Sequence, residues 1–327
     1  MDRMTFEDFQ AYILENIDNF LPPEFKDGDK VIEEIASAKG VYTGLRIMPK
    51  EGAIRISPVI DLTTMYMSDY VLNEKNLVAE IMPKIADIYM HAPRPNMAMD
   101  PSKFIKMLKD FNACKDLIFP KVINKARNIE YISDKPHLDF EDLTVMFAVK
   151  LPGDDKRGWS SVPITETLLD AWGIDQKTLE QTTLANIEKN FEVNTLEGVI
   201  TGLKPVSDVD ELNTESVLGV PPIYVITSQA GMFGANIMYM ALQQKDSLLD
   251  DVNDLAGDFY IIPSSVHELL LIPQDFGDPS DLIEIVKNIN ATEVSLEDFL
   301  SNSIYEYDSL SKEIAKVNIG FGAEDSF

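Results

Sequence analysis

The spacing of apolar residues changes period early in the chain, and that change constrains the fold more than any other feature. Phe6, Phe9, Ile13, Ile17 and Phe20 recur at three- and four-residue intervals, which lines one face of an α-helix, and Thr5 with Asp8 supplies a cap at its start. Pro22-Pro23 ends that helix. Residues 30–38, 41–48 and 53–60 then read as short strands, with Gly40 and Lys50-Glu51-Gly52 as the turns between them. Helical spacing returns over 73–91 through Leu77, Ile81, Ile85, Ile88 and Tyr89. Residues 1–92 therefore read as an N-terminal helix, a three-stranded antiparallel meander and a second helix. Ala92-Pro93-Arg94-Pro95-Asn96 is the candidate linker to a larger domain, 101–327.

In that larger part a helix is expected over 101–112, and strands over 116–124, 142–151 and 158–163. Val145-Met146-Phe147-Ala148-Val149 is apolar at every position, the pattern of a strand covered on both faces. Residues 165–172 and 175–190 read as helices separated by Gly173, with Asp175 capping the second. The acidic stretch 198–222, punctuated by Gly and Pro, reads as a long connection and a candidate sub-boundary. Beyond it come a strand at 223–227, an apolar segment at 231–240, a helix at 241–253, strands at 258–262 and 266–272, and a helix at 278–290. Strands and helices alternate without a strict βαβ rhythm, so the fold class is α+β, with a mixed sheet expected in a larger mixed α/β region.

Charge is distributed unevenly. All six arginines (Arg3, Arg46, Arg55, Arg94, Arg127, Arg157) precede residue 158, and from Thr201 onward 22 Asp and Glu face five Lys, a net of −17 out of the chain's −27. Direct binding of nucleic acid through this region is not expected, because counterion release needs a track of basic side chains. The charge serves solubility, or it meets a cation or a basic protein surface. A single cysteine, Cys114, excludes an intrachain disulfide framework and points to a reducing, cytoplasmic compartment. The acidic start Met1-Asp2-Arg3-Met4-Thr5-Phe6-Glu7-Asp8 is unlike a signal peptide, and no apolar run reaches membrane-spanning length. No oligomeric state can be read from the sequence.

The cluster richest in chemistry is Asp258-Phe259-Tyr260-Ile261-Ile262-Pro263-Ser264-Ser265-Val266-His267-Glu268. Ser264 and Ser265 as nucleophiles, His267 as base and Glu268 as its orienter form one reading. Against it, His267 and Glu268 point to opposite faces of a strand, and no glycine-flanked elbow surrounds either serine. The competing reading is a hairpin whose Pro-Ser-Ser turn bonds its own backbone, or a capping box from Ser265 to Glu268 opening a helix. His91, His137 and His267 are too far apart in sequence for paired metal ligation, and Asp154-Asp155 and Asp250-Asp251 lack the pattern of a calcium loop, so neither metal nor cofactor is assigned. Gly231-Met232-Phe233-Gly234-Ala235-Asn236 follows a strand but lacks a GxGxxG pattern and a lysine, which leaves close backbone packing as the use of its glycines. Trp159 and Trp172 read as core anchors. Asp246, Asp250, Asp251 and Asp254, on the acidic helix, are the residues expected to meet a basic partner.

The 258–268 stretch, the run from Thr165 to Trp172-Gly173-Ile174, and Leu300-Ser301-Asn302-Ser303-Ile304-Tyr305 resemble the domain-of-unknown-function 5688 family, found mostly in gut Clostridia and their relatives. The resemblance spans nearly the whole chain, with Pro-Ser-Ser-x-His-Glu its most specific part and the tail after Tyr307 outside it. It implies no activity. By analogy with families carried on mobile elements, it points to element–host conflict, as an inhibitor or a nucleic-acid mimic. Two classes of function follow: a non-enzymatic acidic cytoplasmic protein that engages a basic site on a macromolecule, or a hydrolase or transferase using Ser264 or Ser265 with His267.

Overall fold

The hydroxyl of Thr5 accepts the Asp8 amide at 3.2 Å and starts the first helix, α1 (Phe6–Asn16), as its sequence requires. A computed structural model of the chain describes residues 4–37, 40–49, 57–68, 74–91, 106–150, 161–187, 191–214, 222–229, 233–243, 245, 248–294 and 298–319. They fall into two units, Met1–Leu108 and Lys109–Phe327. The linker expected at 92–96 lies outside the described residues.

In the first unit β1 (Asp29–Ser37), β2 (Gly40–Met48) and β3 (Val59–Asp61) form an antiparallel sheet in that order. The third strand is shorter than expected, and residues 53–56 lie outside the description. Asp61 then caps a helix the sequence reading missed, α2 (Leu62–Ser68), by accepting the Thr64 amide at 2.8 Å. The helical run after it holds a turn at Glu74–Asn76, a π-helical turn at Leu77–Ile81 and α3 (Met82–His91). The helical periodicity read from the sequence meets the sheet here. Phe9, Ile13 and Ile17 of α1 pack with Leu45, Ile47 and Ile60 of the sheet and with Leu77, Ile85 and Tyr89. The Tyr89 hydroxyl, inside this core, accepts the Ile47 amide at 2.9 Å and donates to the Pro58 carbonyl at 3.1 Å, so its burial leaves no orphaned polar group.

The second unit contains two sheets. In the smaller, β4 (Ile118–Asn124), β5 (His137–Phe140) and β7 (Ser161–Pro163) pair with β6 (Leu143–Lys150). β6 is buried from Leu143 to Val149, as its unbroken apolar run dictates. Helix α4 (Glu166–Trp172) ends at Gly173, whose φ of +68° suits glycine, and Asp175 caps α5 (Gln176–Ile187) through the Thr178 amide at 2.8 Å. Trp172 packs against Phe111, while Trp159 lies outside the described residues.

The larger sheet runs β13-β12-β10-β11-β9-β8. Its first strand along the chain, β8 (Phe191–Thr195), was not read from the sequence, and the helix after it, α6 (Leu196–Thr201), runs into the stretch from residue 198 that was read as a connection. β8 also pairs with β9 (Tyr224–Ser228) from beyond that stretch, so the sheet is continuous across it. The helix expected over 241–253 is two helices, α7 (Ile237–Leu242) and α8 (Leu248–Ala256). β10 (Phe259–Ile262) pairs with β11 (Leu269–Pro273), and residues 266–268 belong to their connection instead of the second strand. Asp278 caps α9 (Pro279–Thr292), whose Leu282 and Val286 cover Ile262 and Ile272 of these strands. β12 (Tyr305–Asp308) and β13 (Glu313–Lys316), both unread from sequence, complete the sheet. Every pairing among the described strands is antiparallel. The mixture in this unit is of helix with strand and not of strand direction, because hairpins and returns take the place of βαβ crossovers.

Candidate functional site

The connection between β10 and β11 bonds itself. Ser264 N–H donates to the Ile262 carbonyl at 2.9 Å, Ser265 N–H to the Glu268 carbonyl at 3.3 Å, and the Ser265 hydroxyl accepts the His267 amide at 3.1 Å. This is the self-bonded turn, not a capping box, since Glu268 leads into a strand. The His267 imidazole is held at both nitrogens. Nδ1 accepts the Phe233 amide at 3.3 Å, and Nε2 lies 3.3 Å from Asp298 Oδ1. An Nδ1 that accepts requires the proton on Nε2, so the neutral ring donates to Asp298 and keeps no lone pair for a substrate. In the described hydrogen bonds neither serine hydroxyl meets the ring, and Glu268 is exposed. The carboxylate that orients the histidine is Asp298, far away in sequence.

The segment opposite the ring is shaped to reach it. Phe233 adopts φ +60° and ψ +34°, a left-handed conformation that costs a non-glycine residue roughly 1–2 kcal/mol. Its ring packs on His267 and on Phe119, each at 5.6 Å between centroids. Lys121 Nζ sits 5.3 Å from the Phe233 ring centre and 3.0 Å from the Ser161 hydroxyl. At Gly234 a Cβ would lie 2.4 Å from the His267 carbonyl oxygen, the same oxygen that accepts the Gly234 amide at 3.0 Å. That position admits glycine alone. Next to it the buried Asn236 accepts the Val122 amide at 3.2 Å and donates to the Pro120 carbonyl at 2.7 Å, which fixes this loop to β4.

From Asp298 the chain runs into a second polar node. Asp142, in the turn between β5 and β6, accepts the hydroxyls of Ser301 at 2.6 Å, Ser303 at 3.2 Å and Tyr305 at 2.5 Å, with Lys316 Nζ at 3.9 Å. Burial would raise the Asp142 carboxyl, but the Ser301 and Tyr305 hydroxyls and the Lys316 charge together hold it below the ordinary carboxylate range. Burial, and then the bond to Asp142, push the Tyr305 phenol well up. Asn124 donates to the Leu300 carbonyl at 2.7 Å, the Arg127 guanidinium lies 3.9 Å over the Phe299 ring, and Asn290 donates to the Ser301 carbonyl at 2.9 Å. The donors and acceptors in both nodes face each other, so the arrangement positions chain and leaves little to activate a substrate. Sequence reasoning missed Asp142, Asp298 and Phe233. The one available signal was the alternation Ser301-x-Ser303-x-Tyr305, which puts three hydroxyls on one side of an extended segment.

The acidic candidates separate. Asp246 lies outside the described residues. Asp250 has a side chain only 15% exposed; it accepts the Tyr307 hydroxyl and pairs with Lys312 Nζ at 2.7 Å. Asp251 and Asp254 are exposed on α8, against which the 3-10 turn Val209–Glu211 packs with exposed Asp210 and Glu211. Among the described residues no group of three His, Cys, Asp or Glu side chains could hold a metal ion, and no helix is long and apolar enough to cross a membrane.

The model of DUF5688, a family of unknown function, matches residues 6–309, and the chain belongs to that family. No curated protein and no solved structure matches it. His267, in the 258–268 segment that carries the family resemblance, meets Asp298, two residues before the 300–305 segment that also carries it.

Proposed function

For this member of DUF5688 we propose a non-enzymatic role in the cytoplasm, in which the acidic C-terminal region engages a basic site on a macromolecular partner. The observation that carries the reading is the fate of the region's cations. Of the five lysines after Thr201, Lys287 pairs with Glu284 at 2.7 Å, Lys312 with Asp250 at 2.7 Å, and Lys316 lies 3.9 Å from Asp142, while Lys204 and Lys245 stand exposed. Meanwhile Asp251, Asp254, Asp258, Asp275 and Asp281 stand exposed. The outward field is negative, and such a field speeds the encounter with a positive surface and repels nucleic acid. A partner surface of this kind is most simply a nucleic-acid-binding groove that the chain occludes, as an inhibitor does in conflict between mobile elements and hosts. Catalysis by Ser264 or Ser265 with His267 draws no support from an imidazole bonded at both nitrogens.

A pull-down from native cytosol with the full chain as bait tests this. Basic proteins should be retained at low salt and released at about 0.5 M salt, where screening shortens the reach of surface charge to a few ångströms. Retention of the same proteins at both salt concentrations would contradict it.

A further inference from the structure

A groove of about 330 Å³ opens at the end of α8, lined by Leu255 and Ala256 of that helix, Tyr224 of β9 and Pro273 of β11, with Thr214, Pro222 and Asp275 around them. Three features of it point to a ligand. Tyr224 is 3% exposed, yet its hydroxyl forms no hydrogen bond among the described residues, and burial alone pushes its phenol up. Its hydroxyl keeps access to solvent, and so to an acceptor on a bound ligand. Leu255 and Phe276 are large apolar side chains left 46% and 45% exposed near it. Beside them stand the exposed carboxylates of Asp275, which lines the groove, and of Asp258. The Gln274 amide donates to the Asp258 carbonyl at 3.0 Å, which brings Asp258 up to the turn that carries Asp275 and Phe276.

We propose that this groove receives an extended segment of the basic partner in which an arginine stands beside an apolar residue. The apolar side chain covers Leu255, Pro273 and Phe276, the guanidinium meets the carboxylates of Asp275 and Asp258, and the Tyr224 hydroxyl donates to a carbonyl of the bound segment. Arginine suits the site because its planar fork can span two carboxylates while its stem lies on apolar surface. The proposal rests on the acidic-interaction reading and assigns it a place.

The test is fluorescence anisotropy with the full chain and a fluorescein-labelled peptide of alternating leucine and arginine, beside its leucine–glutamate counterpart. The arginine peptide should bind and the glutamate peptide should not. Tyr224→Phe should weaken binding roughly fivefold, the worth of one hydrogen bond, and leave Tm unchanged because the hydroxyl has no internal partner to lose. Ala256→Trp should fill the groove and abolish binding. If the peptide binds Ala256→Trp and Tyr224→Phe as well as the unmodified chain but fails on Asp251→Lys with Asp254→Lys, the groove is overturned while the acidic reading stands. No binding of the arginine peptide, or equal binding of the glutamate peptide, overturns the groove. So does a Tyr224→Phe chain that loses Tm and keeps its affinity.

Discussion

The Asp142 carboxylate organises more of the second unit than any other single charge described, since three hydroxyls and a lysine from the 301–316 segment converge on it. Asp142→Asn should lower stability at pH 7 by about 1–3 kcal/mol, because an amide cannot accept all of these donors. The pH dependence has a definite sign. A carboxyl held below its unfolded value of about 3.9 contributes stability above that pH and loses it as pH falls through the lower, folded-state value. Urea denaturation across pH should therefore show the unmodified chain and Asp142→Asn converging toward acid. A gap of equal size at pH 7 and at pH 3 would contradict the assignment. The residues of this node show why a site is only partly legible in sequence. His267 was conspicuous because hydroxyls, an imidazole and a carboxylate crowd one short stretch, but its neighbour Glu268 was a decoy. The carboxylate that matters, Asp298, is brought in by the return of the chain, and nothing local to either residue encodes that meeting.

At the scale of elements, the segments with long, clean periodicity were the readable ones. α1, β1, β2, β6 and the α4–Gly173–α5 pair stand where apolar spacing, caps and a glycine stop place them. β8 was lost because Phe191-Glu192-Val193-Asn194-Thr195 is short and half polar, and β12 and β13 because four residues of alternation, Tyr305-Glu306-Tyr307-Asp308 or Glu313-Ile314-Ala315-Lys316, carry little signal before a partner strand is known. The two kinds of glycine separate by experiment. Gly173→Ala meets nothing within 4 Å and should cost only the left-handed penalty of about 1 kcal/mol. Gly234→Ala drives a methyl into the His267 carbonyl and the Thr227 backbone and should cost about 2–4 kcal/mol. Equal midpoints for the two variants in denaturant would mean that the 233–236 loop does not approach the His267 turn as described.

At the scale of the molecule, the charge that marks the sequence is sorted by the fold into two uses. Some carboxylates are consumed internally, Asp142 and Asp250 above all, and these hold the C-terminal strands in place. Others, Asp251 and Asp254 among them, are exposed at the surface. The sequence could count these charges but could not sort them, because the sorting depends on which lysines and hydroxyls return to meet them. The most direct measurement is the association rate of the full chain with a basic protein captured from cytosol, followed by stopped flow over a salt series with the unmodified chain and with Asp251→Lys, Asp254→Lys. The account predicts a rate that falls by about tenfold or more as salt rises, and a reversed variant that is slower at low salt and nearly flat across the series. A rate indifferent to both salt and reversal would contradict the assignment of this acidic face to partner binding.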